Sequence, residues 1–163
     1  MVVKVHSLRE YFRDSLHSAL EHQQVSVGGE TEQYVVNLLT LFAHSDALFE
    51  QTADGARIRP LVVMLADALE AHSARERCAG LQRLGDVSLF VAGFFAQGFA
   101  RKLIDIDYHI AMGGRAYGTL SEAVRRSGRA ALGPVFGELA AKFQQMVDAL
   151  NEVSEAGYQY SDR

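Results

Sequence analysis

The residues of this chain with the plainest chemical potential lie between 103 and 118, LIDIDYHIAMGGRAYG, where Asp105, Asp107, Tyr108 and His109 precede a pair of glycines. Asp105 and His109 are four apart. A helix reaching back to Asp105 would put carboxylate and imidazole on one face, as metal ligands or as an oriented acid–base pair. A helix starting at Asp107 would instead use that carboxylate to accept hydrogen bonds from first-turn amides, and this capping role is the favoured expectation. Asp105 and Tyr108 then stand near Arg101 and Lys102 as candidate ligand contacts. If the connection from Gln97 to Ile106 folds back, Asp86, Arg101, Asp105, Asp107, Tyr108, His109 and Tyr117 form one candidate pocket for acid–base or binding chemistry.

Complete catalytic sets are missing. There is no HExxH, no Cys/His zinc spacing and no Glu-x-x-His pair of the kind a di-iron bundle uses. GGRAYG lacks the Lys-Ser/Thr of a phosphate loop, and no Gly-x-Ser-x-Gly elbow occurs. Cys78 is the only cysteine, so an intramolecular disulfide is impossible and the thiol reads as a small core residue. No catalytic residue, metal or cofactor is therefore expected. Arg125, Arg126 and Arg129, with Arg115 before them, suit either the C-terminal end of a helix or a phosphate-binding patch.

At 163 residues, 48% hydrophobic and 22% charged, the chain has the composition of one folded domain. A net charge of -4 gives no general attraction to nucleic acid or anionic lipid. No apolar run reaches the roughly 18 residues needed to span a bilayer, and a cytoplasmic chain is expected.

The elements that must position the candidates are all helical. Ser7 and Glu10 have capping-box spacing and open an amphipathic helix ending near Gln23. Thr31 caps a second helix with Tyr34, Val35, Leu38, Leu39 and Phe42 on one face. Asp54-Gly55 marks a turn, and Pro60 opens a third helix with Leu61, Met64, Leu65, Ala68 and Leu69 as its stripe. Ser73 and Glu76 start a short helix that Gly85 can end, and Asp86 can cap the apolar run from Val87 to Gln97. A helix toward Arg126 follows, then one from Gly133-Pro134 to about Ala156, with a tail from about 157 expected to be mobile. With no alternating strand pattern, the expected fold is an all-α, single-domain bundle of about six or seven helices around a central buried apolar helix.

Two further patterns bear on packing. Ser88, Ala92 and Ala96 recur every fourth residue, as do Gly114 and Gly118, so two smooth faces can bring the buried helix and its successor close together. The helix over 134–156 carries Phe136, Leu139, Phe143, Met146, Val147, Leu150 and Val153, a stripe that can pack within the domain or form a homodimer.

LGDVSLFVAGFF followed by DIDYHIAMGGRAYGTL resembles an uncharacterised family of small all-helical bacterial proteins, in which Tyr is usual at the position of His109. The resemblance runs from TEQYVVNLL to about Leu120 and implies no activity. Taken together, the sequence points to a non-enzymatic binding or regulatory module with a protein or small-molecule partner. The alternatives are an enzyme or cofactor protein working around Asp105, Tyr108 and His109, and phosphate or nucleic-acid binding through the arginines.

Overall fold

The computed structural model describes the backbone of residues 5–44, 50–52, 55–57, 61–94, 105–126 and 132–161, with side chains for 8–43, 63–94, 105–126 and 132–156. Seven helices stand among the described residues: α1 (Val5–His22), α2 (Gly29–His44), α3 (Leu61–Leu69), α4 (Ala74–Phe94), α5 (Ile106–Arg126), α6 (Gly133–Ala141) and α7 (Phe143–Ser161). Between α2 and α3, strands β1 (Glu50–Thr52) and β2 (Gly55–Arg57) pair antiparallel with Thr52 opposite Gly55. The ladder is too short for alternation to reveal it, and Asp54 of the expected turn lies outside the described residues. The fold is the expected all-α bundle.

The central element is longer than the expected apolar helix. Ser73 does cap it, accepting a hydrogen bond from Glu76 N at 3.0 Å. The helix then runs through Gly85 and Asp86 without a break, contrary to the expected stop and restart. Gly85 is no C-cap because a side chain from α5 packs against it, and Asp86 is no N-cap because its carboxylate serves other helices. Leu81, Leu84, Val87, Leu89, Val91 and Ala92 are all buried, with α3, α5 and α7 packed around α4.

Helix boundaries elsewhere depart from the sequence in ways that tertiary contacts explain. α1 begins at Val5, ahead of the Ser7 cap, and ends at His22, after which Gln24 takes a left-handed conformation with φ 59°. Val25 N reaches back to Leu20 O at 2.9 Å, closing the turn that normally takes glycine. α2 begins at Gly29 rather than at a Thr31 cap. Thr31 is buried in the first turn, and Glu138 of α6 accepts from Gly28 N at 2.9 Å.

The expected helix over 134–156 is two helices. Lys142, with φ -115° and ψ 26°, leaves the helical region between α6 and α7. Its Nζ donates to Ser26 O and, at 3.1 Å, to Glu138 Oε2, tying this joint to the α1–α2 connection. All seven residues of the stripe offered for dimerisation are buried within the chain. The helix continues to Ser161, through the segment expected as a tail. In α3, Ala68 is buried, whereas Leu69 is 51% exposed and lies outside the stripe assigned to it.

Candidate functional site

The continuity of α4 creates the main polar cluster. Gln82 and Asp86 are one turn apart on one face, and residues from two other helices meet them there. Tyr117 of α5 donates its hydroxyl to Asp86 Oδ1 at 2.6 Å, and Tyr34 of α2 donates to the same oxygen at 2.8 Å. Gln82 Nε2 in turn donates to the Tyr34 hydroxyl at 2.9 Å. Asp86 Oδ2 accepts no hydrogen bond from the described residues.

Packing fixes both rings. A Cβ on Gly85 would lie 2.5 Å from Tyr117 Cε1, so the missing side chain is what lets this fully buried ring lie against α4. Phe136 of α6 stacks on Tyr117 with ring centres 6.0 Å apart and meets Tyr34 edge-on at 5.5 Å. The hydroxyls are thereby aimed at one point.

The electrostatics follow from this enclosure. Burial pushes the Asp86 carboxyl up to about 6, against the opposing pull of the Tyr117 and Tyr34 hydroxyls and the Arg83 charge. Burial, followed by the nearby carboxylate, holds both phenols above the ordinary tyrosine range, so they remain donors. Arg83 lies over the Phe42 ring at 5.6 Å, its guanidinium drawn down by burial and back up by Asp86. Chemically, the cluster is a carboxylate poised near neutrality, one oxygen doubly held and the other open to a proton or a donor.

The start of α5 is a separate place. Asp105, not Asp107, is the cap: its Oδ1 accepts from Tyr108 N at 3.1 Å. Asp107 lies in the exposed first turn, where its charge complements the helix dipole. His109 is half-buried, its pKa lowered by burial and raised in part by Asp105, and its Nδ1 is buried without a hydrogen-bond partner among the described residues. Tyr108, 37% exposed, presents its ring edge-to-face to His109 at 5.9 Å between centres. Eight residues separate His109 from Tyr117, about 12 Å along the helix. The expected single pocket thus divides into an Asp86–Tyr117 cluster and an α5 start, while Arg101, Ala96 and Arg129 lie outside the described residues.

Close packing of α4 on α5 uses a different glycine from those expected. A Cβ on Gly113 would lie 2.7 Å from Ser88 Cβ and 2.3 Å from Phe143 Cζ, whereas Gly114 and Gly118 have ordinary contacts with Phe143 and Ala140. Ser88 and Ala92 are fully buried, and Ser88 Oγ has no hydrogen-bond partner. Gly93 makes room for Leu150 of α7, where a Cβ would come within 2.6 Å.

Concave surfaces lie elsewhere among the described residues. A groove of about 530 Å³ between α1 and α2 is lined by Arg13, Asp14, His17, Glu21, Glu32 and Gln33 among others. Across it His17 contacts Glu32 through Nδ1 at 2.9 Å and Glu21 through Nε2 at 3.1 Å. Another, of about 340 Å³, lies where Ser121 and Arg125 face Gly133, Pro134 and Glu138. Arg125 is paired with Glu122, and both Arg125 and Arg126 are exposed in the last turn of α5. Among the described residues no group of three His, Cys, Asp or Glu could hold a metal, and no helix is long and apolar enough to cross a membrane.

Compared with protein-family models, curated proteins and solved structures, the chain matches none. Tyr34, Gln82, Arg83 and Phe136 were not among the sequence candidates. The available signals were the four-residue spacing of Gln82 and Asp86 and the need of a half-buried Tyr34 for a hydroxyl partner.

Proposed function

We propose that this chain is a non-enzymatic binding or regulatory module acting through protein or small-ligand contacts, with the α1–α2 groove as its contact surface. The observation that carries this reading is the groove itself: an open space of about 530 Å³ lined from two helices by charged and amide side chains. By contrast, the Tyr34 and Tyr117 hydroxyls are turned inward onto Asp86 and hold helices together. Asp14, Glu21 and Glu32 favour a partner that presents a cationic group, with Arg13 paired to Asp14 at 3.6 Å beside them. A cytoplasmic setting belongs to the same reading, supported by the single cysteine.

Thermal-shift and native mass spectrometry against polyamines, amino acids and short basic peptides test it. A cationic ligand should stabilise the natural chain and lose most of its effect with Glu32→Gln and with Glu21→Gln. Equal stabilisation of all three proteins would place binding elsewhere.

A second reading, an enzyme or cofactor protein centred on Asp105, Tyr108 and His109, is favoured by one observation, the buried Nδ1 of His109, which has no hydrogen-bond partner among the described residues. It predicts a mass adduct or turnover that disappears in His109→Phe and survives Glu32→Gln.

A further inference from the structure

We propose that the cation bound in the α1–α2 groove takes the place of the His17 ring, so that binding an ammonium or guanidinium group expels the proton that His17 carries. The inference rests on the groove being the contact surface, and adds what a ligand must displace there. Its basis is the double hold on one imidazole. His17 Nδ1 lies 2.9 Å from Glu32 Oε1, and Nε2 lies 3.1 Å from Glu21 Oε1. A neutral imidazole donates from one ring nitrogen and presents a lone pair at the other, whereas an ionised carboxylate only accepts. Both contacts are attractive together only when the ring is an imidazolium. The groove thus already holds a cation supplied by the chain itself, and the two carboxylates around it form a seat for another.

The same ring divides the space. Next to the groove of about 530 Å³ lies a second concavity of about 420 Å³, and His17, Glu21 and Glu32 line both. Turning the imidazole outward joins the two along the seam between α1 and α2. The ring is free to turn, because its side chain is 58% exposed, while Glu32, at 19%, stays in the wall. Exposed ion pairs hold a side chain only loosely, so a ligand that brings its own cation can compete for the carboxylates.

The charges facing the ring are Glu32 from α2 and, on its own helix, Glu21, with Arg13 and Asp14 paired to each other one turn earlier. From α7, Glu152 is engaged by His22 and Gln23, and at the α6–α7 joint Lys142 is taken up by Ser26 O and Glu138. The connecting residues beside the ring, Gln24 to Val27, carry no charge. In keeping with this setting, Glu32 and then Glu21 raise the His17 pKa above 6.5. Below that raised value a ligand cation must expel a proton, and above it the seat is already vacant. Binding therefore weakens as pH falls, by up to about tenfold per unit for one proton exchanged.

The test is isothermal calorimetry of spermidine and of a Gly-Arg-Gly peptide with the natural chain and His17→Ala, at pH 6.5 and pH 5.5, each in two buffers of different ionisation enthalpy. With whichever probe binds, the natural chain should release about one proton per cation, and its Kd should rise about tenfold from pH 6.5 to pH 5.5. His17→Ala should bind more tightly than the natural chain at pH 5.5 and release no proton. In the ligand-free chain, the His17 ring followed by ¹⁵N chemical shift should titrate at higher pH than in Glu32→Gln. Binding with no proton release, weaker binding by His17→Ala, or equal His17 midpoints overturns the exchange and leaves the groove as a contact surface. No binding of either probe by either protein overturns both.

Discussion

Tyr117 joins three helices through one side chain: its ring lies on Gly85 of α4, its face meets Phe136 of α6, and its hydroxyl reaches Asp86. Tyr117→Phe keeps the first two contacts and deletes the third. A hydrogen bond to a charged group is worth about 1.5–3 kcal/mol, so the variant should lose roughly that much at pH 7 by urea unfolding. The loss should shrink at pH 5, where the acceptor is neutral. Tyr34→Phe also removes the acceptor for Gln82, and since both phenols compete for one oxygen, each single loss is partly offset by the bond that survives and the double variant should lose more than the sum of the two. Strict additivity would mean that the hydroxyls do not act through Asp86. The sequence made Asp86 and Tyr117 visible as polar residues worth notice. It placed Tyr34 only as a ring on a helical stripe, because a partner 52 positions away leaves no trace in local spacing.

Helical glycines divide into two kinds once their neighbours are known. At Gly85 an added methyl would meet the Tyr117 ring at 2.5 Å, and at Gly113 it would meet Phe143 at 2.3 Å, so both substitutions must push a packed ring aside. At Gly114 and Gly118 the nearest atoms are 3.9 Å and 3.7 Å away. Gly85→Ala should therefore destabilise by about 1–3 kcal/mol through overpacking. Gly114→Ala and Gly118→Ala should each stabilise by about 0.5–1 kcal/mol through helix propensity. Thermal unfolding of the three variants checks the contrast, and a stabilised Gly85→Ala would show that the ring contact is not limiting. The same glycine explains what was legible in the sequence. Apolar periodicity and cap spacing placed the helical stretches, but Gly85-Asp86 has the local chemistry of a stop and a cap, and only the ring from α5 and the hydroxyl from α2 make it mid-helix. Conversely, the stripe over 134–156 runs unbroken through Lys142, whose departure from helical geometry coincides with contacts to Ser26 and Glu138. One false division and one missed division leave the number of helices unchanged.

At the scale of the molecule, the α6–α7 stripe decides how the chain satisfies its apolar surface. A terminal helix with such a stripe can serve a domain or a dimer, and periodicity is identical in the two cases. Burial distinguishes them: Met146, Val147 and Leu150 are each at most 1% exposed, with α1, α4 and α5 packed against α7. A charge introduced there has no solvent to turn to. Burying an unpaired polar or charged group costs several kcal/mol, a large part of the roughly 5–15 kcal/mol that holds a typical domain together. Val147→Asp should accordingly abolish cooperative unfolding and most helical circular dichroism at neutral pH, whatever the protein concentration. Gln144→Lys, on the exposed side of the same helix, should leave both unchanged. If Val147→Asp instead yields a helical, cooperatively unfolding species of half the natural mass by light scattering, the stripe belongs to an interface between copies, and the packing of α7 within one chain is wrong.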